Sequence, residues 1–109
     1  MAYDEKLAEK VRTALLGLNG MSEKKMFGGL CFLMNGNMVA GVAGERLMVR
    51  VGVNNHERAM KQKHATPMDF TGRPMRGMIF VAAKGTKRSD TLAKWLKMGL
   101  DHVRTLPKK

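Results

Sequence analysis

Three histidines, one cysteine, a glycine pair and a lysine-rich loop are the residues of this chain whose chemistry could reach beyond packing. His56, His64 and His102 are the side chains able to exchange protons near neutral pH. No two of them lie at the i, i+4 spacing that seats a zinc ion on one helix face, and none adjoins Cys31. No metal or other cofactor is therefore expected. His64 could meet Asp69 across the loop around Pro67 and be held in one tautomer, as a general base would be. No nucleophile in suitable context follows, so an incidental hydrogen bond of a loop histidine is the better reading. Cys31 falls within a strand pattern, where a free thiol behaves as a small hydrophobe. Gly28-Gly29 leads into a strand, whereas phosphate-cradling glycines lead into a helix N-terminus. The pair is expected to make a tight bend or bulge with close backbone approach. The chain does not read as an enzyme, and no small-molecule substrate is evident.

The lysine-rich loop, Lys84-Gly85-Thr86-Lys87-Arg88-Ser89, delivers the chain to the start of the last helix, where unpaired N–H groups favour anions. Lys84, Lys87, Arg88, Lys94 and Lys97 are the candidate polyanion-binding residues, and Arg104 and Lys108 could extend the patch along the same helix. Asp90 already offers that helix end a carboxylate. The net charge of +11 is unevenly placed: the first 45 residues are neutral, and from Arg46 onward fifteen basic residues face four acidic ones. Such a field draws polyanions and acidic surfaces, and it also keeps a protein soluble. Base-reading modules and stacking aromatics are both missing, because Phe32, Phe80 and Trp95 are needed for packing. Any nucleic-acid contact is expected to be directed at phosphates and low in specificity.

The elements that must position these residues follow from periodicity. Leu7, Val11, Leu15 and Leu18 predict an amphipathic helix from Asp4 to about Leu18, capped by Asp4 and stopped at Asn19-Gly20. From Met26 to Val51 the pattern becomes short β runs. Asn35-Gly36 between two apolar runs predicts a type I′ hairpin turn. A two-residue turn there sets Leu33 opposite Met38 and Cys31 opposite Ala40; a second at Gly44-Glu45 sets Val42 beside Leu47 and Ala40 beside Val49. One face would then hold Cys31, Leu33, Met38, Ala40, Val42, Leu47, Val49 and Val51 as the core. The other would hold Leu30, Phe32, Met34, Val39, Met48 and Arg50, the candidate protein-interface residues, covered by a second helix or by another chain. Asn54-Asn55 is read as the cap of a short helix over His56 to Lys63, Met75 to Ala82 as a strand, and Ser89-Asp90 as the start of the last helix, with Leu92, Trp95, Leu96, Gly99, Leu100 and Val103 along its apolar stripe.

The predicted fold class is thus α+β, an antiparallel sheet with N-terminal, middle and C-terminal helices, in one domain over residues 1–109. No apolar run approaches a membrane span, and the N-terminus lacks a secretion pattern. A lone cysteine allows no intramolecular disulfide, so a reducing cytoplasm is the expected compartment. Eleven methionines are many for this length; Met26, Met48, Met68, Met75 and Met78 could form a deformable surface, though core gap-filling is the commoner use.

Lys25-Met26-Phe27-Gly28-Gly29, then Asn35-Gly36, then Leu47-Met48-Val49-Arg50-Val51-Gly52, then Pro67-Met68-Asp69-Phe70-Thr71-Gly72-Arg73-Pro74-Met75 together resemble the N-terminal domain of the TfoX/Sxy family. The resemblance implies an α+β fold like that of secretion chaperones and an association with regulators of natural-competence genes in bacteria. Longer relatives carry a C-terminal helical domain suited to nucleic-acid contact beside the cyclic-AMP receptor protein; a stand-alone relative is expected here. The resemblance brings no catalytic residues. The function expected is a non-enzymatic regulatory binding module, linked to transcription of competence-type genes through a protein partner and possible nucleic-acid contact. The alternative is a self-associating adaptor, a homodimer for instance, with no nucleic-acid role.

Overall fold

The computed structural model describes residues 3–26, 28–68 and 76–108. Its first helix, α1 (Glu5–Ala14), opens where expected: the Asp4 carboxylate accepts from the backbone N–H groups of Lys6 at 2.9 Å and Leu7 at 3.2 Å. It closes a turn earlier than Leu18, because Leu15 leaves the helix and Gly17 takes φ +87, a conformation costly for any residue with a Cβ. Leu15 still reaches the core from that turn.

Six strands follow, β1 (Met21–Met26), β2 (Gly29–Met34), β3 (Asn37–Ala43), β4 (Arg46–Arg50), β5 (Ala65–Pro67) and β6 (Met78–Val81). They form one antiparallel sheet in the order β1-β2-β3-β4-β6-β5. Between β4 and β6 lie a 3-10 turn at Val53–Asn55 running into α2 (His56–Met60), then β5; a second 3-10 turn at Ala83–Gly85 leads to α3 (Ser89–Val103). Asn55 does not cap α2 with its side chain; instead its Nδ2 donates to the Val51 carbonyl at 3.2 Å. No helix among the described residues is long and apolar enough to cross a membrane. Of the strand expected over Met75 to Ala82, the described residues form Met78–Val81; Met75 itself lies outside them.

Both predicted hairpin turns are present. Asn35 and Gly36 take φ +52 and +83, as a type I′ turn requires, and Gly44 alone is positive in the second turn. Leu33 pairs with Met38, Val42 with Leu47 and Ala40 with Val49. One pairing differs. A bulge at Val39 inserts a residue between the Leu33–Met38 and Phe32–Ala40 pairs, so Cys31 faces Gly41, not Ala40.

A one-residue slip exchanges the faces of every strand residue beyond it. Leu30, Phe32, Met34 and Val39 therefore join Ala40, Val42, Leu47, Val49 and Val51 under the helices, packed with Leu7 and Val11 of α1, Ala59 of α2, and Leu92, Trp95 and Leu96 of α3. Cys31 and Met38 move to the opposite face with Met48, Met68, Met78 and Phe80. All three helices thus contribute to one layer.

Two backbone approaches fix the layers. A Cβ at Gly99 of α3 would lie 2.6 Å from the Val39 carbonyl oxygen, so the helix rests on the bulge through a residue without a side chain. A Cβ at Gly29 would lie 2.0 Å from the Val42 carbonyl oxygen, the close backbone approach foreseen for the glycine pair. Gly29→Ala is expected to cost about 2 kcal/mol or more in urea unfolding, as overpacking against backbone does. A loss within about 0.5 kcal/mol would contradict the packing at this strand.

Candidate functional site

Cys31 is fully buried in the second-face cluster, and burial pushes its thiol up to about 11, away from the reactive thiolate. His56 accepts the Gly77 backbone N–H on Nδ1 at 3.0 Å, which makes it a structural tie to the start of β6. His64 stands at φ +73 and gives its carbonyl to the Ala82 N–H; Asp69, its proposed partner, lies outside the described residues. His102, in the last turn of α3, lies directly over Gly52, where a Cβ would meet its Nδ1 at 2.4 Å. Among the described residues no three His, Cys, Asp or Glu side chains cluster as a metal site would need.

What the fold does build is a groove of about 900 Å³ on the second sheet face, reaching from the Asn35-Gly36 turn to Lys24 and Met26 of β1. Its floor is apolar, formed by Met26 of β1, Leu33 of β2, Met38 of β3 and Met78 of β6. Its cations are Lys24, Arg50 and Arg76, joined by His102 from the last turn of α3 and Thr105 just beyond that helix. The strand period explains the mixture: Lys24 and Met26 are two apart on β1, and Arg50 pairs with Met78 across β4 and β6. The other end of this face is closed by Met68 over Met48 and Phe80, with the Arg46 guanidinium stacked 3.7 Å above the Phe80 ring.

The electrostatics of the groove are one-sided. Lys24, Arg50 and Arg76 form none of the ion pairs found among the described residues. The acid in the lining, Asp101, is engaged by Lys97 at 2.7 Å and Arg104 at 3.8 Å. Partial burial, and then the nearby charge of Arg50, hold His102 below its ordinary value.

The sequence-predicted sites fare differently. Leu30, Phe32, Met34 and Val39 are interior side chains of the helix-covered core, with Phe32 only 2% exposed, so they offer a partner no surface. Met48 lies on the second face as predicted but is wholly buried there. Arg50, from the same set, lines the groove. Lys84, Lys87, Arg88, Lys94 and Lys97 are all exposed. Arg88 is bound to Asp90 at 3.0 Å, and the Asp90 carboxylate also takes the Thr91 N–H at 2.9 Å, so the start of α3 already holds its anion. Lys97 is paired with Asp101, while Lys84, Lys87 and Lys94 form none of the ion pairs found among the described residues. Of the methionines proposed as a deformable surface, Met26 and Met78 line the groove and Met48 and Met68 fill the core, while Met75 is outside the described residues. The roles of Lys24, Met38 and Arg76 were missed. Gly41, isolated inside a strand and opposite Cys31, was the available signal of a bulge.

The family model for the TfoX N-terminal domain matches residues 13–103. No curated protein and no solved structure matches the chain.

His102 is expected to titrate below 6.5 in a proton NMR titration, and Arg50→Gln to raise it only part of the way, since burial is the larger cause. The unfolded chain takes this proton first as pH falls, so the associated stability is whole above about pH 6.5 and declines below it. A His102 titrating above its ordinary value, or unmoved by Arg50→Gln, would contradict the geometry at Gly52.

Proposed function

The chain belongs to the TfoX N-terminal domain family, which is linked to competence regulation, and on that footing we propose that it is a regulatory binding module and not an enzyme, acting on transcription of competence-type genes through a protein partner. The observation that carries this reading is the groove: an apolar floor beside three cations that form no ion pair among the described residues is a surface for holding another molecule. The histidines support it from the other side, since His56 is tied to Gly77 and His102 is seated on Gly52, each in a packing role. A buried, reduced Cys31 fits a reducing compartment such as the cytoplasm. Self-association through Leu30, Phe32, Met34 and Val39 has no surface to use, because those side chains belong to the core.

A second contact, with nucleic-acid phosphates, is favoured by Lys84, Lys87 and Lys94, which stand exposed around the start of α3 and form no ion pair among the described residues.

Deleting the gene in its host is expected to change transcript levels of the DNA-uptake genes several-fold, with recovery on return of the wild-type chain; unchanged transcripts would reject the regulatory reading. For the phosphate contact, fluorescence titration on duplex DNA at two salt concentrations should show binding that weakens steeply with salt and weakens further in a Lys84→Gln/Lys87→Gln/Lys94→Gln variant. Absence of binding at low salt would remove that part of the proposal.

A further inference from the structure

We infer that the groove binds an acidic, amphipathic peptide segment of a protein partner, with apolar side chains on the methionine floor and carboxylates against Lys24, Arg50 and Arg76. The inference rests on the binding-module reading and adds to it the seat and the chemistry of the partner.

Shape comes first. The floor runs from β1 through β2, β3 and β4 to β6, four inter-strand spacings or about 19 Å, the length of a helix of about 13 residues. Unbranched thioether side chains at Met26, Met38 and Met78 can repack around apolar groups of different shape, as methionine-lined peptide grooves do.

Charge then selects the occupant. Three cations that form no ion pair among the described residues line the apolar floor, and the acid among the described lining residues, Asp101, is already held by Lys97 and Arg104. A segment that brings both apolar side chains and carboxylates satisfies floor and cations at once. Nucleic acid would meet the cations but cover the thioether floor with nothing to stack on, since no aromatic side chain is among the described lining. A second copy of this chain would set a net charge of +11 against +11.

The test uses the full chain with methyl-labelled methionine and a synthetic amphipathic helix of leucine and glutamate as the probe. The probe should shift the Met26, Met38 and Met78 methyl signals and leave Met21 and Met98, which pack on the helix-covered side, in place. Replacing the probe's glutamates by glutamine, or the protein's cations in an Arg50→Gln/Arg76→Gln variant that retains the wild-type unfolding temperature, should weaken binding about tenfold each. The proposal is overturned if the three methyls ignore the acidic probe. It is equally overturned if duplex DNA or rising protein concentration moves them and the probe does not. Silent methyls together with altered transcripts in the deletion strain would reject the groove as the seat while keeping the binding module; unaltered transcripts would reject the module itself.

Discussion

The extra residue at Val39 governs how the two sides of this sheet are populated. It makes Val39 and Ala40 both point toward the helices, so the residues of β2 that face them, Leu30, Phe32 and Met34, join the helix-covered core. The same slip sends Cys31, Leu33 and Met38 to the opposite side. With a regular ladder from the Asn35-Gly36 turn, Phe32 would lie on the side without helices, and the core would lose its largest β2 side chain. Each buried apolar side chain of that size is worth about 1.5–3 kcal/mol, so the bulged register is strongly preferred.

The helix layer is built to meet that bulge. Gly99 places the backbone of α3 against the Val39 carbonyl, and Asn37, at the other side of the turn, donates its buried Nδ2 to the Pro107 carbonyl at 2.9 Å beyond the helix end. α1 is tied to the edge strand by Arg12, whose guanidinium meets Glu23 of β1 at 2.6 Å and also Glu9. These contacts fasten helices to one face only. The opposite face is closed at one end by Met68 and Phe80 and left as a basic, methionine-floored groove at the other. Position of the groove and packing of the core are therefore two results of a single register.

Much of this architecture was legible in the sequence, and the reasons for the rest are specific. The Asp4 cap, the Asn35-Gly36 turn, the Ser89 helix start and the core placement of Ala40, Val42, Leu47, Val49 and Val51 depend on local rules that tertiary packing left intact. β1 gives no apolar alternation to read, since Ser22-Glu23-Lys24-Lys25 is polar throughout; it is an edge strand, where charge guards the unpaired side. β5 is as hard to see, because three residues ending in Pro67 look like a loop. The candidate interface failed for a different reason: period-two reasoning carries one error through a whole strand, and an apolar residue such as Val39 does not announce a bulge. The groove could not be read at all from spacing, since Lys24, Arg50, Arg76 and His102 come from four separated segments.

Interstrand contacts measured by NMR on the labelled protein decide the register directly. The bulged register requires backbone contacts of Phe32 with Ala40 and of Cys31 with Gly41, and a Phe32 ring close to side chains of α1 or the turn that follows it. Contacts of Cys31 with Ala40, with the Phe32 ring on the side away from the helices, would contradict it.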